Sequence, residues 1–155
     1  MRSISLLAAA LLMAAAALAE DKKADDKAVK AEMKKLEGAW KTSSAEMGGK
    51  EFKPADIGME KVRIKGSKLT FLTKDKEVAT FEITIDPSKK PKHMEWVKSK
   101  KADPLPCIYE LKGDELKLCF PLLPKEKAKV EIKRPEGFET KDKPVGLIVL
   151  KRQKS

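Results

Sequence analysis

The sequence predicts an all-β chain: an antiparallel up-and-down barrel of eight or nine strands behind one short N-terminal helix. Three observations predict it. The apolar period changes from helical to two at Gly38. The segments beyond it are short and joined by hairpin-type turns. Two of those turns, read independently, put their apolar residues on one common face. A two-layer sandwich built from the same hairpins is the alternative.

The chain opens MRSISLLAAALLMAAAALA, with Arg2 ahead of an uncharged apolar run that ends in Ala17-Leu18-Ala19. This is the pattern of a secretory signal peptide over residues 1–19, cut after Ala19, and it implies a secreted or periplasmic protein. The run is shorter than the roughly 20 residues a spanning helix needs, and no later segment is apolar enough to span, so no transmembrane segment is expected in the mature chain. Residues 20–26, EDKKADD, have nothing to bury and are expected to form a disordered linker. Residues 27–155 are the size of one domain with one core.

In DKAVKAEMKKLEG, Val29, Met33 and Leu36 make one narrow helical stripe, and Gly38 can end the helix. The spacing predicts a helix over 26–36 lying against the main body. A first strand follows over 40–47. KVRIK then turns through Gly66-Ser67 into KLTFL, which sets Ile64 opposite Leu69 and Val62 opposite Phe71. A three-residue turn at Lys74-Asp75-Lys76 sets Phe71 opposite Ala79 and Leu69 opposite Phe81, and Ile83 and Ile85 continue that face. After a Pro-bounded loop, a strand is expected over 93–98. CIYELKGDELKLCF is the clearest hairpin: Gly113-Asp114 at its turn, Leu111 against Leu116, Tyr109 against Leu118. AKVEIK, 128–133, predicts a strand through Val130 and Ile132, and LIVLKR, 147–152, closes the chain.

Gly38-Ala39-Trp40, after a short helix and at the start of the first strand, resembles the Gly-x-Trp signature of lipocalin-like barrels. LEGAWKTSSAE, IKGSKLTF, TFEITIDPSKKPK, IYELKGDELKLCF and LIVLKR, in this order, are similar to an uncharacterised lipocalin-like domain family abundant in planctomycete bacteria and often secreted. The resemblance runs from Leu36 to Arg152. It implies a fold in which Trp40 lies under the closed end of the barrel with Arg152, from the last strand, packed across it. The family has no established activity to carry over. The chain departs from it at Cys107, where a small residue, often Gly, is usual.

The formal charge is +10, and beyond Arg2 only Arg63, Arg134 and Arg152 are arginines. Nucleic-acid readers use arginine forks and aromatic platforms, so no specific nucleic acid is expected as a partner. A lysine-rich solvated surface is the plain reading, compatible with weak attraction to anionic envelope polymers. The densest basic run, Lys89, Lys90, Lys92, Lys98, Lys100 and Lys101, flanks HMEWV. It reads either as an anionic-ligand or polysaccharide platform around Trp96, or as a solvated edge with Trp96 turned inward beside Met94; the second is preferred. His93, the only histidine, has no motif around it and reads as a surface residue beside a basic loop. The acidic pairs Asp25-Asp26 and Asp114-Glu115 have local roles at a helix start and a turn. No catalytic residue, metal site or cofactor is assigned.

Cys107 and Cys119 are a candidate disulfide in an oxidising compartment. The hairpin register argues against it, because Cys107 shares the face of Tyr109 while Cys119 pairs with Ile108 on the other. The leading expectation is a non-enzymatic barrel holding a small apolar ligand. Its inner face would be Val62, Ile64, Leu69, Phe71, Phe81, Ile83, Tyr109, Leu111, Leu116 and Leu118, core residues first and cavity lining second. The alternative is a cell-envelope interaction module acting through its lysines.

Overall fold

A computed structural model describes residues 26–123 and 131–154. The expected signal peptide, the linker up to residue 25, and Val130 lie outside them.

Helix α1 is Asp26–Leu36. The strands are β1 (Gly38–Met47), β2 (Lys50–Phe52), β3 (Lys61–Lys65), β4 (Lys68–Thr73), β5 (Lys76–Asp86), β6 (Lys92–Val97), β7 (Leu105–Lys112), β8 (Glu115–Pro121) and β9 (Val145–Arg152), with a 3-10 turn at Pro54–Ile57. All pairings are antiparallel, in the order β2-β1-β3-β4-β5-β6-β7-β8-β9, and β1 also pairs with β9. Eight strands therefore close into a barrel. β2 is an extra strand held only by the far half of β1, from Ala45 to Met47. The long β1 serves three neighbours because it bulges between Thr42 and Ser44, which bends it away from β3 while it continues along β9. The barrel is the architecture; the sandwich is not.

The hairpin registers set Ile64 against Leu69, Val62 against Phe71, Leu111 against Leu116 and Tyr109 against Leu118. The β4–β5 turn corrects one expectation. It has two residues, Lys74 and Asp75, both at positive φ, with Thr73 paired to Lys76. A bulge between Phe71 and Leu72 on the β4 side then takes up Val78 as the extra residue and brings Phe71 opposite Ala79. A shorter turn plus a bulge gives the same downstream register as a longer turn.

One other expectation fails, and one strand was not anticipated. Glu131–Lys133, the described part of the strand expected over 128–133, belongs to no strand. The chain there is drawn along the barrel wall by Arg134, whose guanidinium donates to the carbonyls of Met94 and Cys107 and pairs with Glu95. β2 was not expected: its three residues are all exposed, so it has no apolar alternation to reveal it.

The main core fills the barrel, with Leu36, Trp40, Val62, Ile64, Leu69, Met94, Leu116, Leu118, Ile148 and Leu150 essentially inaccessible. A second, smaller core lies on the outer side of the wall. There Ile108, Cys119 and Val145 pack with Phe138 and Leu147, under the strap formed by residues 131–144. The strap is also tied by Thr140 Oγ1 donating to Glu46, 3.1 Å away.

Candidate functional site: an apolar cup opposite a plugged end

The two ends of the barrel are built differently. At one end the chain enters from α1 into β1 and leaves through β9. Trp40 is fully buried there, and its indole N–H donates to the carbonyl of Leu36 at 2.9 Å. The Arg152 guanidinium lies 4.2 Å from the Trp40 ring centroid. It also donates to the carbonyls of Lys35 (2.5 Å) and Glu37 (2.8 Å), and approaches Asp114 at 3.4 Å. One cation thus covers an indole and satisfies carbonyls that the end of α1 leaves without partners. Gly38 is required between them. Its φ is +135°, and a Cβ there would stand 2.9 Å from Arg152 Nη1.

α1 extends the plug with a polar contact that the stripe Val29-Met33-Leu36 did not announce. Glu32 is 7% exposed. Its Oε1 accepts from Lys92 Nζ at 2.6 Å and from the Tyr109 hydroxyl at 3.3 Å. Burial, together with this carboxylate, pushes the Tyr109 hydroxyl far above its ordinary value, so it remains a donor.

Among the described residues, nothing comparable covers the opposite end. Met47, Ile57, Met59, Phe71, Ala79, Phe81, Trp96, Leu105, Phe120 and Leu122 surround an open cup of about 370 Å³, rimmed by Val78 and Leu123. Among the described residues, no charged side chain lines it. Its floor is a ring cluster centred on Trp96: Phe71, Phe81 and Phe120 lie 5.6, 5.5 and 5.3 Å from it between centroids. Trp96 is 2% exposed, and its N–H points at Met94 Sδ, 3.0 Å away, rather than into the cup. Phe120 reaches its place because it crosses Gly146, where a Cβ would come within 2.6 Å of the ring. This small residue in VGLIVLKR is the signal that could have marked the cup wall in the sequence.

Of the ten inner-face residues expected to line a cavity, Phe71 and Phe81 line the cup. Val62, Ile64, Leu69, Ile83, Tyr109, Leu116 and Leu118 are buried core, and Leu111 packs half-buried against it. The correction follows from direction along the strands: alternation assigns a side chain to a face but not to a depth.

The basic run around HMEWV is not one patch. β6 separates Lys89, Lys90 and Lys92, beside the plugged end, from Lys98, Lys100 and Lys101, in the loop beside the cup. Trp96 is buried between them, so the platform reading fails. His93 is half-buried, and burial and then the Arg134 charge lower its pKa below the usual imidazole value.

The cysteines are both free and buried. The candidate disulfide is absent because the ladder pairs Cys119 with Ile108, leaving Cys107 in the inner core and Cys119 in the outer one. Cys119 Sγ lies 3.5 Å from the Gly137 carbonyl of the strap. Burial pushes the Cys119 thiol up to about 11 and Cys107 higher still. Neither is an activated nucleophile. Among the described residues, no group of three or more His, Cys, Asp or Glu gathers to hold a metal ion, and no helix is long and apolar enough to cross a membrane. In comparisons with family models, curated proteins and solved structures, nothing matches this chain.

Proposed function

We propose that this chain is a lipocalin-like barrel, exported by its N-terminal run, that holds a small apolar molecule in the cup around Trp96. One observation carries the reading: a cavity of about 370 Å³, with no charged side chain among its described lining, sits at the end of the barrel that α1 does not cover. That volume is at the lower end of the roughly 300–1,000 Å³ typical of ligand sites. The lining has the character of such sites too, with aromatic and sulfur-bearing side chains that adapt to an apolar body. The plugged end makes the opening single, so a ligand would enter and leave past Val78 and Leu123. The described lining of the cup is apolar throughout, which favours binding over catalysis as the reading.

The test is titration with N-phenyl-1-naphthylamine, a neutral apolar dye that brightens on leaving water. The expected result is saturable uptake with energy transfer from Trp96, reduced in Trp96→Phe and abolished by Ala79→Trp, which fills the cup. Absence of saturable uptake, or uptake that Ala79→Trp leaves unchanged, refutes the cup as the binding site.

A further inference from the structure

Among the described residues, four large apolar side chains are exposed: Phe52 (40%), Val78 (56%), Leu123 (64%) and Ile132 (39%). None is at the plugged end. Val78 and Leu123 form the rim of the cup, and Ile132 shares a surface groove with Leu122 and Leu123. Phe52 is on β2, which pairs with the cup-side half of β1. The β6–β7 loop beside this rim joins cup residues Trp96 and Leu105. It carries Lys98, Lys100 and Lys101, all exposed and none in an ion pair among the described residues.

Apolar tips standing in water beside unpaired lysines are matched by one kind of surface: acyl chains lying just beneath anionic phosphates. The tips enter the apolar boundary while the ammonium groups stay at headgroup level. We propose that the cup end docks on an anionic phospholipid surface, Val78 and Leu123 entering the interface and Lys98, Lys100 and Lys101 meeting the phosphates. Docking itself needs no ligand. It rests on the cup reading only for its use, which would be to pass an apolar molecule between bilayer and cup without crossing water.

The test is flotation of the full chain with vesicles of phosphatidylcholine and phosphatidylglycerol at a seven-to-three ratio, and with phosphatidylcholine alone. Variants are compared within the same chain, so any contribution of the N-terminal run is common to all. Two lysine pairs give equal charge changes at opposite ends: Lys98→Glu with Lys100→Glu, and Lys89→Glu with Lys90→Glu. The expected result is enrichment on the anionic vesicles that falls by at least about tenfold in the first pair and in Val78→Asp with Leu123→Asp, and by less than about twofold in the second pair. The proposal is overturned by equal losses in the two lysine pairs, which would mean diffuse charge attraction. It is equally overturned by no preference for anionic vesicles, by no loss in the rim variant, or by a solution dimer that the rim variant abolishes. Dye uptake without vesicles is measured on the same variants, so failed docking with intact uptake leaves the cup reading standing.

Discussion

The plugged and open ends of this barrel use the same alternating strands and reach opposite outcomes. At the plugged end, side chains far apart in sequence meet through directional contacts: Arg152 on Trp40 and on the α1 carbonyls, Lys92 and Tyr109 on Glu32. At the open end the contacts around Trp96 are chiefly ring against ring, and the apolar surface continues into solvent at Val78 and Leu123. The difference teaches that strand alternation builds a wall, while what closes an end is the element that happens to adjoin it. α1 runs straight into β1, so it can only cover the end where β1 begins.

Substitutions at the two ends should therefore have unequal effects on stability. The largest is expected for Trp40→Ala, which empties a fully buried site and should cost about 3–5 kcal/mol in urea unfolding. Arg152→Ala should follow at about 2–3 kcal/mol, through lost bonds to two carbonyls and the lost ring contact; Arg152→Lys should restore less than half of this, because an ammonium lacks the planar fork. A cost for Arg152→Ala below that of a rim substitution would break the distinction between the ends.

Smaller effects separate the inner core from the outer one. Arg134→Ala loosens the strap and should raise the rate at which a thiol reagent modifies Cys119 by roughly tenfold, with Cys107 still protected. Equal acceleration at both thiols would mean that the barrel, not the strap, had opened. Acid should act on the wall through His93. Its folded pKa lies below its ordinary value of 6.5, so its contribution is present above that value and lost as pH falls through the folded pKa. Unfolding between pH 7 and pH 5 should show a shallower loss of stability in His93→Gln than in the native chain. Least affected should be Val78→Asp and Leu123→Asp, each within about 0.5 kcal/mol of the native chain, since both sites already face water.

Much of the wall was legible in the sequence because alternation and hairpin turns encode faces and register locally. The β3–β4 and β7–β8 hairpins follow directly from Gly66-Ser67 and Gly113-Asp114. The β4–β5 turn shows the limit: apolar register alone does not separate a three-residue turn from a two-residue turn with a bulge at Val78. β2 has no buried face, so no pattern betrayed it. The apparent alternation of Val130 and Ile132 did betray a pattern, but tertiary contacts of Arg134 override it in the described part. The cup was the least legible feature. Its liners come from six strands and two connecting segments, and what distinguishes them from core is depth along the barrel axis, which no local spacing records. Glu32 was hidden for a related reason, since an acid set among the lysines of α1 reads as solvated until Lys92 and Tyr109 arrive from β6 and β7.

The seam between β1 and β9 also orders events in time. It joins Trp40 to Arg152 and Met47 to Gly146, so closure brings together segments about one hundred residues apart. During synthesis, the strands from β3 to β8 can pair with their predecessors as they emerge, but the ring cannot shut until residues 145–152 are available. Until then β1 has an open edge, and the guanidinium that stacks on the indole is still to come. The last strand is therefore both the final stave and the latch, and a chain cut before Val145 would present two unpaired edges to any neighbour in the same condition.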